Sequence, residues 1–277
     1  MRTVSLPDGT LVPALGQGTW CMAENPRLRS AERDALACGI ELGMTLIDTA
    51  EMYGDGAAEE LVGEVIGGRR EQVFLVSKVL PENGSRQGTI AACERSLRRL
   101  GTDRIDLYLL HWRGSVPLEE TVSAFMRLKR DGKIRYWGVS NFDVSDMEEL
   151  VRLDSGAMVA TNQVLYNLRR RGIEYDLLPW SVRRQMPTMA YSPIEQGRLV
   201  DAEVLKEIAD KHMVTPAQVA LSWVLRREDV IAIPKAARIE HVRQNRAALD
   251  LVLNEEDLAR LDEAYPPPKG PVPLEMI

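Results

Sequence analysis

Along this chain, short apolar runs bounded by turn residues alternate with longer segments in which apolar side chains return every three or four positions. The short runs are predicted strands at residues 15–18, 45–48, 73–78, 106–111, 136–140, 160–163, 188–191 and 230–234. The periodic segments predict helices over residues 30–42, 58–66, 89–100, 118–131, 145–153, 202–211 and 216–226. Helix stops stand at Gly43, Gly67-Gly68, Gly101 and Asp131-Gly132. Ahead of all this, residues 4–6 and 11–13 flank Asp8-Gly9, a dipeptide suited to the positive φ angles of a tight hairpin turn.

Strands buried on both faces and separated by helices imply a parallel sheet covered by helices. Eight such units in one chain of this length predict an α/β fold, a (β/α)8 TIM barrel, with the N-terminal hairpin plugging its bottom. No linker or low-complexity segment divides the chain, so residues 1–277 read as a single domain with a Pro-rich surface tail. The rival is an open doubly wound sheet, which would carry a G-x-G-x-x-G turn after its first strand. Here that strand runs into Gly16-Gln17-Gly18-Thr19-Trp20, without the third glycine and without an immediate helix.

Composition narrows the class further. Hydrophobic residues at 45% and charged residues at 27% are those of a globular protein, which excludes a disordered or fibrous chain. A net charge of −6 argues against a nucleic-acid partner, because a phosphate-backbone binder carries a basic surplus. No run is apolar and long enough to span a membrane, and the N-terminus has no apolar core before a cleavage site. Cys21, Cys38 and Cys93 lack metal-ligand spacing; Cys38 and Cys93 fall on apolar helix faces as core thiols. The expectation is a cytoplasmic, reduced protein without a metal site.

In such a barrel, chemistry gathers at the C-terminal ends of the strands. There the apolar runs are interrupted by Asp48, Lys78, His111, Ser140 with Asn141, Gln163, Tyr191 and Lys235. Any one of them passes as an ordinary strand-end residue, but a polar residue at the same end of seven successive strands does not.

Taken with the segments IDTAEMYGDGAAEELVGEVI, VFLVSKV, DLYLLHW, GKIRYWGVSNF, NQVLYN and AYSPIEQGRL, in that order, the chain resembles the aldo-keto reductases over almost its whole length. It is most similar to the bacterial branch that includes methylglyoxal reductases. The resemblance implies extra C-terminal helices and a catalytic tetrad of Asp48, Tyr53, Lys78 and His111. The roles make chemical sense. Hydride delivered to a carbonyl carbon leaves an alkoxide that needs a proton as it forms, and Tyr53 would be the general acid. An ammonium at Lys78 would favour the phenolate and strengthen that acid, with Asp48 neutralising and orienting the lysine. His111 would donate to the carbonyl oxygen.

The resemblance also implies NADPH/NADP as cofactor. Ser140, Asn141 and Gln163 match the trio that holds the nicotinamide carboxamide, and Tyr191 the aromatic that stacks on the ring. Thr19, Trp20, Ser192 and Ile194 match further contacts; Lys235 matches the lysine for the 2′-phosphate, and Gln244 and Asn245 the adenine contacts. The segment departs from the family pattern at Ala236, commonly serine, and at His241, where many members carry arginine. Arg238 stands nearby as a substitute cation. Trp20, Met52, Leu80 and Trp112 would wall a small apolar substrate pocket, with Arg113 near its rim as a structural side chain. The implied activity is reduction of small aldehydes or dicarbonyls, methylglyoxal first. A sugar-aldehyde or keto-acid reductase and a non-catalytic cofactor-sensing protein remain alternatives, and a monomer is the favoured state.

Overall fold

The computed structural model describes residues 1–277. Eight parallel strands pair in strict chain order: β3 (Gln17–Gly18), β4 (Leu46–Asp48), β5 (Phe74–Val79), β6 (Ile105–Leu110), β7 (Ile134–Ser140), β8 (Asn162–Leu165), β9 (Thr188–Tyr191) and β10 (Val230–Ala232). A parallel return needs a long crossover, and helices supply it. These are α1 (Arg29–Glu41), α2 (Ala57–Ile66), α3 (Arg86–Leu100), α4 (Leu118–Arg130), α5 (Val144–Val151), α6 (Leu177–Arg183) and, between β9 and β10, α7 (Glu203–His212) and α8 (Pro216–Leu225). After them come α9 (Ile239–Ala247) and α10 (Glu255–Ala264), the two closing helices that the resemblance implies. The periodicity reading omits α6.

The two edges of this sheet meet. Parallel bridges join Leu15 to Ala232 and Gly18 to Lys235. The amide of Gly18 donates to the Pro234 carbonyl at 3.1 Å. Only glycine fits at that position, since a Cβ on Gly18 would lie 2.8 Å from the Ile233 carbonyl oxygen.

The hairpin pairs β1 (Thr3–Ser5) with β2 (Leu11–Pro13), Val4 opposite Val12. Its buried Val4, Leu6 and Val12 share one apolar cluster with Leu46, Val76, Leu107 and Leu109 from the strands. The Tyr136 hydroxyl donates to Asp8 Oδ2 at 2.7 Å, fastening the hairpin turn to β7. The hairpin therefore covers the inner face of the sheet at one end.

Pleating sorts the side chains. Leu75 and Val79 of β5 belong to the large cluster between strands and helices, and Val76 to the inner one. With a period of two, Lys78 follows Val76 to the inside. The same alternation sends Asp48 after Leu46 and His111 after Leu109 to the inner face, at the end opposite the hairpin. No helix is long and apolar enough to cross a membrane.

Candidate active site

Asp48 closes β4, Lys78 lies one residue from the end of β5, and His111 follows β6 directly. Tyr53 begins a short 3-10 turn after β4 in which Gly54, Asp55 and Gly56 all take positive φ, so the chain doubles back over the strand ends. Lys78 is the hub. Its Nζ donates to Asp48 Oδ2 at 2.8 Å, to the Tyr53 hydroxyl at 2.9 Å and to the Thr49 carbonyl at 3.0 Å. All three ammonium protons thereby have acceptors, as a fully buried lysine requires. Asp48 is oriented from its other oxygen, Oδ1, by Gln163 Nε2 at 2.8 Å.

Burial opposes the charge on Lys78, but Asp48 and then Tyr53 outweigh it, and its pKa stays above the ordinary lysine value. Tyr53 differs from expectation. Burial raises its phenol pKa above the usual value, and the pull of Lys78 in the other direction does not prevail. The lysine thus offsets the cost of desolvation rather than making an unusually strong acid, and the phenol keeps its proton through neutral pH. His111 is held neutral: burial, then the Lys78 ammonium, lowers its pKa to about 2. Its Nδ1 is buried without a partner while the ring lines the cavity.

The cavity above these residues measures about 790 Å³, within the range of small-molecule and cofactor sites. Trp20 meets Tyr53 edge-on with ring centroids 5.0 Å apart, and His111 sits 4.9 Å from Trp112. Ser140 donates to the Gln163 carbonyl at 2.8 Å, and Tyr191 donates to Asn141 Oδ1 at 2.9 Å. Asn141 adopts φ +58°, a left-handed geometry that asparagine tolerates better than most residues. Its Nδ2 turns back to the His111 carbonyl at 3.1 Å. The trio expected to hold a carboxamide is therefore cross-braced across β6, β7, β8 and β9.

Of the residues expected at the site, Asp48, Tyr53, His111, Trp20, Met52, Trp112, Ser140, Asn141, Gln163, Tyr191, Ser192, Ile194, Lys235, Gln244 and Asn245 line this one cavity, His241 with them. Lys78 lies fully buried beneath the cavity without lining it, and three more stand elsewhere. Thr19 is fully buried and spends its hydroxyl on the Asp48 carbonyl at 2.9 Å, so its contribution is to fix the strand. Leu80 is half-buried off the cavity, its amide held by Glu51 at 2.9 Å. Arg238 is exposed at the N-cap position of α9, makes no capping bond with its side chain, and is not among the residues lining the cavity. Gln163 is not a strand-end residue either, because β8 runs on to Leu165. Arg113 binds Glu149 at 2.9 Å and the Val116 carbonyl at 3.1 Å, the structural role foreseen for it. Sequence reasoning missed Cys21, Gln196, Thr215, Met276 and Ile277, which also line the cavity. The last two lie in irregular chain with no periodicity to flag them.

The Aldo/keto reductase family model matches residues 14–266. The chain is 58% identical to methylglyoxal reductase YeaE of Escherichia coli K12, covering all of this chain and 99% of that protein. It is 37% identical to the glyoxal reductase of Bacillus subtilis, over 99% of this chain and 97% of that one. A crystal structure of an aldo/keto reductase from Klebsiella pneumoniae in complex with NADP and acetate superposes with a TM-score of 0.97 at 53% identity, covering 100% and 99% of the two chains. With a matching domain model, full-length relatives and a buried Asp–Lys–Tyr relay at the strand ends, the chain belongs to the aldo/keto reductase family.

Proposed function

We propose that this protein is an NADPH-dependent reductase of small aldehydes and dicarbonyls of the methylglyoxal kind, built on a closed (β/α)8 barrel of one domain. The observation that carries the reading is the Lys78 ammonium bonded at once to Asp48 and to the Tyr53 hydroxyl beneath a cavity lined by His111. The parallel bridges from Leu15 and Gly18 to the last strand support closure of the barrel. A cytoplasmic, reducing compartment fits a chain with three unpaired cysteines.

NADPH supplies a hydride when bound. The residues present fit such a group: Ser140, Asn141 and Gln163 offer amide and hydroxyl functions at the cavity wall, the Tyr191 ring faces it, and Lys235 stands at its far end. His111, being neutral, donates a hydrogen bond to the substrate carbonyl without itself giving up a charge. Tyr53 donates its phenolic proton to the oxygen as negative charge develops there, and Lys78 stabilises the phenolate left behind. Asp48 keeps Lys78 charged and aimed. Trp20 and Trp112 narrow the mouth, which suits substrates with few carbon atoms.

The test is oxidation of NADPH with methylglyoxal, followed at the absorbance of the reduced cofactor, in the wild type and in Tyr53→Phe. The variant should lose about 10²–10⁴-fold in turnover, the usual contribution of a positioned acid, and still bind NADPH. Near wild-type turnover in Tyr53→Phe would remove Tyr53 as the acid. Cofactor binding without turnover across an aldehyde panel would instead favour a cofactor-sensing protein.

A further inference from the structure

Two segments contribute to the cavity wall, and one side chain holds both. The first is the loop after β9. Ser192, Glu195 and Gln196 have positive φ there, and Ser192, Ile194 and Gln196 line the cofactor side of the cavity. The second is the tail at residues 272–277, whose Met276 and Ile277 line the mouth although each is about half exposed.

Arg170 sits between them. Its Nε and Nη2 donate to Glu195 Oε1 at 3.2 and 3.1 Å, and its Nη1 donates to Glu275 Oε1 at 2.5 Å. Glu195 is buried, and its second oxygen accepts from Asn167 Nδ2 at 2.7 Å; the same amide donates to the Ser192 carbonyl at 2.9 Å. The loop is therefore bonded at both Glu195 oxygens and at the Ser192 carbonyl. The tail end is lighter. Glu275 is 38% exposed, and beside it Leu274 packs on the main core while Val272 rests against Gly172. A cavity of about 250 Å³ remains under the tail, lined by Arg170, Val272 and Leu274 among others, so the tail is not packed down along its length.

We propose that Arg170 is a positioning residue which, through Glu195 and Glu275, latches residues 272–277 to the cofactor-side loop, so that cofactor seating sets where Met276 and Ile277 stand at the substrate mouth. This rests on the reductase reading for the identity of cofactor and substrate, but not for the latch itself. Ordering of the loop by the cofactor is transmitted through two charge-assisted contacts to the tail. Met276 and Ile277 then complete, with Trp20 and Met52, an apolar rim that favours a short carbon chain.

The experiment uses Glu275→Gln, which removes the tail's charge and leaves the buried Arg170–Glu195 pair intact. Amide hydrogen exchange of peptides covering residues 266–277 is followed with and without NADPH in both proteins. Without cofactor the variant's tail should exchange about 2–5-fold faster, the size expected for a partly exposed ion pair, and high salt should bring the wild type towards the variant. NADPH should slow tail exchange in the wild type and do so markedly less in Glu275→Gln. In steady state the variant should raise KM for small aldehydes with the single-turnover hydride rate unchanged. Equal tail exchange in the two apo proteins would overturn the latch whatever the nucleotide does. A latch present in the apo protein but an identical NADPH response in both would overturn the coupling. Failure of NADPH to bind either protein would overturn the reductase reading, and the coupling with it, while the apo comparison still decides the latch.

Discussion

His111 shows how far a single residue's environment sets its chemistry. It ends an apolar strand beside a buried ammonium, and its pKa falls to about 2 from the reference near 6.5. A group depressed in the folded state binds its proton only when the chain unfolds, so between those values the unfolded state holds more protons and stability falls as pH falls. The slope is at most about 1.4 kcal/mol per pH unit from this group alone. His111→Gln keeps a neutral hydrogen-bonding side chain but cannot titrate. Denaturant unfolding measured from pH 7 down to pH 4 should show a shallower loss of stability in the variant than in the wild type. Parallel curves would mean that the imidazole is protonated in the folded protein. At this scale the sequence was informative, because strand parity and position place Asp48, Lys78 and His111 together on the inner face. The net direction of the Tyr53 shift was not legible. It depends on how completely the turn at Gly54–Gly56 buries the phenol, which no local pattern encodes.

Elements were legible where a long enough stretch carried a regular apolar period. The strands and the helices α1, α2, α3, α4, α5, α7 and α8 stand within a few residues of the predicted bounds. The helix α6 escaped notice because it has seven residues and carries Pro179, which its first turn tolerates. Helix α9 buries only Val242 and Asn245, so its pattern is nearly blank, and α10 buries Asp257 and Leu261. Yet α9 brings His241, Gln244 and Asn245 to the cavity, and here the family resemblance supplied what periodicity did not. The shortest element has the strictest demand. β3 is two residues long, and Gly18 within it closes the sheet against the strand region after β10. Gly18→Ala forces a Cβ to within 2.8 Å of the Ile233 carbonyl, a backbone atom that cannot rotate away. The expected cost is about 1–3 kcal/mol, as for other overpacked sites. A midpoint of urea unfolding equal to wild type would show that the seam can open without loss. Because Gly18 and Lys235 are bridge partners, the same variant should also weaken NADPH binding.

Across the whole molecule, the cavity runs from Asp48, Tyr53 and His111 to the start of the closing helices, and on the proposed reading its far end would decide which nicotinamide cofactor is used. The chain carries a net charge of −6, so a phosphate binds here only through local cations. Lys235 and His241 line that end; Arg238, which the sequence offered as a second cation, is exposed and outside it. On the proposed reading, discrimination would therefore rest chiefly on Lys235. A charge-assisted contact to the extra phosphate of NADP contributes roughly 1.5–3 kcal/mol, or about 10–150-fold in affinity. Lys235→Ala should raise the dissociation constant for NADPH by a factor in that range and for NADH only slightly, measured by titrating protein fluorescence with each nucleotide. Arg238→Ala should leave both nearly unchanged, which separates the two cations by position rather than by charge. The double change Lys235→Ala, His241→Arg should recover part of the NADPH preference, since a guanidinium at a lining position of α9 offers a fork of donors suited to a phosphate. Equal losses for NADPH and NADH in Lys235→Ala would move the lysine away from the 2′-phosphate. A large effect of Arg238→Ala would mean that α9 swings its first turn into the cavity when the nucleotide binds.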